Sequence, residues 1–572
     1  MASVNHPPEK DSLLYAVDER PPEWMSILLG FQYVLMIVTP ILVTPLVVTR
    51  AAGLSADEVS WILFASLLAS GISTYIQIRR FGKVGAGYLL FIGTSAAFVA
   101  CSLAAVEVGG MALVATMAVL SAPLQILFGW FLGPLRNIIT PLVGGVVIML
   151  IVVNVMPISL NVMAGDPEFP AVRNMQVAGI TVLIIIALAI FGNARVRLWS
   201  PMIGIASGTL VAAVFGIVDF SSVRSADWIG LPAGSWQGFH LEFTAEVFSI
   251  YLTFALITLI GAVESLGDSM AIQQVSTRNF RKIDYERVQG GLYADGVGNA
   301  IAGALGTLPN TTYSNAISVV ELTGVAARRV GMYAAGFLAL LAFFPKIGAL
   351  INSIPSPVVG AFLFVLVSML FVTGVKLATS EGFNYKTGVI IGISFWTGYA
   401  FQSQLVFPDL IPDTLATFLN NGMTMGGLTA IALSFLFTLR PSGGARCNLP
   451  CRAEDLPQLQ AFIDRYADKQ KLNSSQKHNL HLTAEELFLH LSESTDRPDS
   501  LAVLLNLDES KIVVEFVDRT ITDDLDIALE KLDQKAEPAT PDELGLLLLG
   551  KLAKNMRHMK IGGVNYIRYE VE

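Results

Sequence analysis

Long apolar runs, broken by short polar or charged segments, fill the first three quarters of the chain. They fall at approximately 25–48, 58–78, 84–102, 109–130, 137–157, 177–193, 199–218, 245–268, 289–305, 310–324, 331–352, 355–375, 386–403 and 423–439. Most have the length of a bilayer-crossing helix. The pattern predicts an all-α polytopic membrane protein of 14 spans over residues 24–440. Several runs are short or interrupted by Gly and Pro, notably 84–102 and 310–324. Residues 1–23 are polar and read as a mobile cytoplasmic lead. After a linker at 441–453 the pattern changes. Residues 454–470, 474–492, 524–534 and 542–558 look helical. LAVLLNLD (501–508) and KIVVEFVD (511–518) look like neighbouring strands, and GVNYIRYEVE ends as another. Residues 454–572 are thus expected to form a soluble α+β domain large enough for its own core.

Charge sharpens this division. Residues 1–440 contain 44 Asp, Glu, Lys and Arg, and residues 441–572 contain 39. The net charge of −9 comes mainly from the tail, so no nucleic-acid partner is expected. With the N-terminus inside, 17 Lys and Arg of the first part fall in cytoplasmic segments and four outside. This bias supports an even span count, with both termini cytoplasmic and the protein in the cell membrane. The first run is too long for a cleavable leader. Cys101 lies in an apolar run and reads as a small buried hydrophobe. Cys447 and Cys451 have no histidines nearby, which argues against zinc; palmitoylation after the last span is an alternative.

The most unusual stretch is GTLPNTTYSNAISVVELTG, residues 306–324. Pro309 lacks an N–H and disfavours helix at the residue before it. An extended piece feeding a half-helix is predicted, offering free N–H groups and a positive dipole end to a ligand. A plain proline kink is the alternative. Gly93-Thr94-Ser95 opens a similar stretch in the third run. Third and tenth are equivalent positions if the chain is seven spans plus seven, with the second copy inverted.

Carboxylates inside spans cost roughly 2.5–3.5 kcal/mol and are candidates for function. Glu264 and Asp268, in VESLGDSM, are four residues apart and share a helix face. Side by side in low dielectric they repel, so one is expected to take up and release a proton. Such a group also accepts ring N–H donors of a planar heterocycle, and Gly267 leaves room beside it. Asp295, in YADGVGNA, either takes part in transport or bonds to backbone and tenth-span hydroxyls. Glu321 is expected to form a salt bridge or snorkel near Arg328 and Arg329.

These motifs together resemble the nucleobase–ascorbate transporter family: VESLGD, ADGVGNAIAGALG, GTLPNTTYSNAISVVELTG and the opening ILLGFQYVLMIVTPILVTPLVV. The resemblance covers about residues 20–440. It implies two inverted seven-span repeats forming core and gate domains, usually a homodimer. It also implies proton- or sodium-coupled uptake of a nucleobase by an elevator-like movement, with no cofactor, no metal and no enzymatic activity. Glu264 matches the family's base-binding glutamate. Asp268 resembles the purine-type members, which favours xanthine or urate over uracil. Asn315 stands where a Gln or Glu is usual, and Ala316 where an Asn is usual. Tyr33 replaces the usual His after a retained Gln32. The implied base-binding set is Glu264, Asp268, Thr312, Tyr313, Ser314, Asn315 and Gln32, with the backbone at Ser95, Ala96 and Ala97. Glu264, Asp268 and Asp295 are the implied proton-coupling groups. A base sensor signalling through the tail and a small-anion carrier are the alternatives.

The tail resembles the ATP-binding domain of histidine kinases and anti-sigma-factor kinases, in LTAEELFLHL, VDRT and ELGLLLLGKL. His490 stands at the Mg²⁺-holding Asn position, Arg519 and Thr520 replace glycines, and Gly545 alone remains of the later glycine motif. A phosphate cradle needs such glycines. The resemblance therefore implies a degenerate domain that docks a cytoplasmic partner; a generic α+β domain is the alternative.

Overall fold

The computed structural model describes residues 13–130, 140–165, 169–232, 234–278, 283–380, 382–406, 419, 421–439, 444–493, 498–508, 511–518, 541–561 and 564–571. Arg136, Arg281, Lys282, Arg519, Thr520 and the helix expected at 524–534 lie outside the described residues.

Helix α1 (Glu23–Ala51) contains Pro40 and Pro45. Helix α2 (Ala56–Arg79) starts on a Ser55–Glu58 capping box, which satisfies two orphan donors of its first turn. The chain then leaves helical geometry, and strand β1 follows at Phe91–Thr94. A short helical turn at Ala96–Phe98 leads into α3 (Val99–Trp130), which kinks at Gly109 and Gly110. Next come α4 (Pro141–Ala164), α5 (Ala171–Phe191) and α6 (Ala194–Val214). The second half repeats this order. Helices α7 (Ala245–Ser276) and α8 (Tyr285–Leu305) precede strand β2 (Asn310–Tyr313) and the half-helix α9 (Asn315–Thr323). Then follow α10 (Arg328–Ala342), α11 (Pro345–Asn352), α12 (Ser356–Ala378), α13 (Tyr385–Gln402) and α14 (Gly422–Leu439).

Among the described residues, seven helices are long and apolar enough to cross a membrane. There are eight if α10 and α11, bent by 80°, make one span. The chain is thus a polytopic helical membrane protein. The third and tenth apolar runs are not plain spans: each is a strand followed by a helical start. Packing falls into two groups. Helices α1, α2 and α7 pack against the strands, with α10 on α1 and α2 and α3 on α7, while α4, α5, α6, α12 and α13 pack with one another. Glycines set the closest approaches. The Cβ of an alanine at Gly145 would lie 2.4 Å from the Gly374 carbonyl. At Gly303 it would lie 2.6 Å from that of Ala115. Small residues of this kind let helix backbones meet.

Residues 1–12 lie outside the described residues, and residues 13–23 differ from the mobile lead expected of 1–23. Tyr15 N–H donates to the Gly324 carbonyl (3.0 Å), Ala326 N–H to Tyr15 (2.8 Å) and Arg328 N–H to Val17 (3.0 Å). Its acidic side chains find basic partners, with Asp18 on Arg328, Glu19 on Arg278 and Glu23 on Arg329. Polarity here reflects ion pairing as well as solvation. Glu321 is exposed on α9, and the arginines expected near it take these other carboxylates instead.

The tail is a five-stranded antiparallel sheet of order β3-β4-β5-β7-β6. Its strands are Ala445–Leu449, Leu501–Asp508, Lys511–Asp518, Lys554–Ile561 and Val564–Val571 for β3, β4, β5, β6 and β7. Helices α15 (Leu456–Gln470), α16 (Ser474–Glu493) and α17 (Pro541–Leu552) accompany it. Leu459, Phe488, Val514, Phe516 and Tyr569 are central to its core. The pairing of 501–508 with 511–518 is as expected. Two expectations fail. The segment 441–453 is no mere linker, because β3 within it forms a sheet edge. The run 542–558 is helical only to Leu552 and then becomes β6. Both are sheet edges: β3 is only five residues long, and β6 carries Lys554, Arg557, His558 and Lys560. Cys451 is buried in this core, and Cys447 packs against it.

Candidate functional site

Strands β1 and β2 pair antiparallel, with Phe91 opposite Tyr313, Ile92 opposite Thr312, Gly93 opposite Thr311 and Thr94 opposite Asn310. Sequence reasoning foresaw two irregular stretches but not that they bond to each other. Gly93 makes the pairing possible: a Cβ there would sit 2.7 Å from the Tyr313 ring and from Ile41. The Tyr313 hydroxyl donates to the Thr94 carbonyl at 2.7 Å, and Ser95 N–H donates to Pro309 at 3.0 Å. Tyr313 therefore latches the two strands.

Helix α7 touches β2, α9 and the 96–98 turn. It brings the carboxylates of Glu264 and Asp268 to this crossing, and α8 brings that of Asp295. Asp268 accepts from the Ser314 hydroxyl at 2.9 Å. That hydroxyl does not cap α9, so no side chain closes the first-turn N–H groups of the half-helix. Asp295, fully buried on α8, accepts from Thr312 at 2.8 Å, from Gln125 at 3.3 Å and from Ser265. Gln125 in turn accepts from Asn299 at 2.9 Å, and Asn299 accepts the Asn310 backbone N–H at 2.6 Å. Buried polar groups need partners, and this chain of bonds supplies them across α3, α7, α8 and β2.

Glu264 stands apart. It is half-buried, and among the described residues its carboxylate accepts no hydrogen bond. Nothing lies within 4 Å of where a Gly267 Cβ would be. Ser314 and Asn315 are exposed, and Ala96 and Ala97 are half-buried. The hydroxyl of Thr311 is buried without a partner, as is the Asn310 amide. Of the expected residues, the structure links Asp268 to Ser314 and Asp295 to Thr312. It sets Ser95, Ala96 and Ala97 on the opposite arm. Gln32 on α1 is half-buried and makes no hydrogen bond with the others; its neighbour Tyr33 is buried against Phe91, ring centres 5.0 Å apart. Sequence reasoning missed Ser265, Gln125, Asn299 and Asn310. The signal was there for two of them: Gln125 is an amide within an apolar run, and Asn299 lies one turn after Asp295.

In the tail, Gly545 lies inside α17, where a Cβ would meet the Glu486 carboxylate. It serves helix packing there and does not shape a phosphate-binding loop. Asp518 is buried and accepts from the Asn565 amide at 2.8 Å.

A family model described as "Permease family", of the xanthine–uracil type, matches residues 25–404. The chain is 30% identical over 446 residues to a protein named xanthine permease XanP of Escherichia coli, covering 75% of this chain and 95% of that one. It is 27% identical over 416 residues to one named nucleobase transporter PlUacP of Paenibacillus larvae, covering 72% and 94%. Among solved structures, the murine Slc26a9 anion transporter in its inward-facing state is similar, with a TM-score of 0.51 over 80% of each chain. At 11% identity that likeness speaks to fold alone.

Proposed function

From the premise that this chain belongs to the xanthine–uracil permease family, the nucleobase–ascorbate transporters, we propose that it is a secondary active transporter importing a purine base such as xanthine or urate. The observation that carries the reading is the Glu264 carboxylate, left without a hydrogen-bond partner beside two carboxylates already engaged. Planar bases present ring N–H donors, and a carboxylate is their natural acceptor. Asn315 is exposed at the start of α9, which packs on α7, and can both donate and accept at the ring edge. Ser314 and Thr312 hold Asp268 and Asp295, the Tyr313 latch fixes the strands, and the backbone at Ser95, Ala96 and Ala97 faces the base from the other arm. Gln32 completes the set from α1.

Proton symport follows from the same groups. Three acidic side chains at one crossing cannot all carry charge cheaply in low dielectric, so Glu264, Asp268 and Asp295 share the coupling proton. The same acidity opposes a small-anion cargo. The strand–half-helix order in both halves supports fourteen spans in two inverted repeats. The two packing groups are the core and gate of an elevator-like transporter, assembled as a homodimer in the cell membrane with cytoplasmic termini. The tail is a degenerate kinase-like ATPase domain that docks a cytoplasmic protein.

Uptake of radiolabelled xanthine and urate by cells lacking their own permeases tests the reading. Glu264→Gln should lower uptake roughly 100-fold, the value of one charge-assisted hydrogen bond, at unchanged membrane abundance. Normal uptake by that variant would remove Glu264 from the role.

A further inference from the structure

The half-helix α9 is nine residues long, too short to hold its place by its own hydrogen bonds. The Tyr313 latch fixes the chain just ahead of it. Its other end closes on Gly324, whose φ of 65° is left-handed and whose N–H donates to Val320 at 2.8 Å. That end is held by the segment that precedes α1. Tyr15 pairs in parallel with Val325. Three main-chain bonds join the segment to the link between α9 and α10: Tyr15 N–H to Gly324, Ala326 N–H to Tyr15 and Arg328 N–H to Val17. Val17, Val325, Ala326 and Ala327 are all buried.

The same segment is tied to the end of α7. Arg278, just past that helix, donates from Nε to the Leu13 carbonyl at 3.3 Å and from Nη2 to the Leu14 carbonyl at 3.1 Å. Its fork also meets both oxygens of Glu19, with Nη2 to Oε2 at 2.9 Å. Ala16 N–H donates to Glu19 at 2.9 Å and so fixes the carboxylate. With side chains 43% and 40% exposed, a lone ion pair here would contribute little. This guanidinium instead engages two carboxylate oxygens and two carbonyls, so it fixes geometry as well as charge. Asp18 on Arg328 and Glu23 on Arg329 extend the hold to α10.

We propose that residues 13–19 are a clamp that sets the spacing of α7 and α9, and with it the affinity of the pocket for its base. Arg278 and Tyr15 are its positioning residues, and neither lies in the pocket. The inference rests on the reading of Glu264 on α7 and Asn315 on α9 as base-binding groups. At nine residues α9 spans roughly 14 Å, so a tilt at Gly324 carries through to Asn315.

The full-length protein is tested in two ways. Xanthine uptake is measured over a range of concentrations, and amide hydrogen exchange of residues 315–328 is followed without any base. Arg278→Gln removes the fork and both carbonyl contacts. It should raise the half-saturating concentration roughly tenfold at nearly unchanged maximal rate and membrane abundance. Glu19→Gln should raise it roughly threefold. The double variant should be no worse than Arg278→Gln, because both changes act on one contact. Arg278→Lys keeps the charge without the fork and should recover only part of the loss. If Arg278→Gln does not reach the membrane, Tyr15→Pro deletes the N–H given to Gly324 and should raise the half-saturating concentration in its place. Exchange over residues 315–328 should quicken in the same variants, whatever the substrate. An unchanged half-saturating concentration, unchanged exchange, or additive effects in the double variant would overturn the clamp. If the native chain takes up no purine, the transport reading fails, and faster or unchanged exchange then upholds or overturns the clamp by itself.

Discussion

The chain twice leaves helix for a four-residue strand that feeds a helical start, once at Phe91–Thr94 and once at Asn310–Tyr313. The two strands bond to each other, yet their chemistry is opposite. The first reads FIGT and runs into SAAF, so beyond Ser95 it presents backbone and methyl groups. The second reads NTTY and runs into SNA, and its hydroxyls hold two of the three carboxylates. One arm is shape and the other is polar positioning. The same backbone device thus occurs in both halves with different side chains, so each copy has its own local chemistry.

The largest effect should come from removing the anchor of the polar arm. Asp295→Ala strands the donors of Thr312, Gln125 and Ser265 and should cost roughly 3–5 kcal/mol, read as a lower melting temperature of the purified protein. A change under about 1 kcal/mol would mean that the buried network does not hold the strands. The shape arm should break by crowding. Gly93→Ala places a methyl against Tyr313 and Ile41 and should destabilise by roughly 1–3 kcal/mol, with uptake falling in step. A smaller substitution sharpens the contrast. Ser314→Ala removes one bond to Asp268, worth about 1 kcal/mol, and should raise the half-saturating concentration of the base about fivefold at nearly unchanged stability. If Ser314→Ala instead lowers the melting temperature as much as Gly93→Ala, the two arms do not divide their work in this way.

Much of this was legible because membrane spans announce themselves. The helical runs, Pro309 as a break, and the shared face of Glu264 and Asp268 all follow from hydropathy and spacing. The pairing of β1 with β2 was not legible, because four residues carry no recognisable strand period and the partners lie more than 200 positions apart. Ser265, Gln125 and Asn299 escaped notice for a related reason: a neutral polar residue in an apolar run is common, and only the fold shows which ones meet. The N-terminal segment misled through composition, since acidic residues that pair with distant arginines look like solvated ones. In the tail, β3 is five residues long and β6 is broken by Lys554, Arg557, His558 and Lys560, so a search for hydrophobic runs passes over both.

The most direct measurement is thermal stabilisation of the purified protein by a panel of purines, pyrimidines and small anions, run on the native chain and on Glu264→Gln. A selective rise with xanthine or urate, absent in Glu264→Gln, is the predicted result, because a ligand that binds only the folded state raises its melting temperature. Stabilisation by no base, or by a base equally well in Glu264→Gln, would contradict the assignment of the Glu264 carboxylate as the group that holds the substrate.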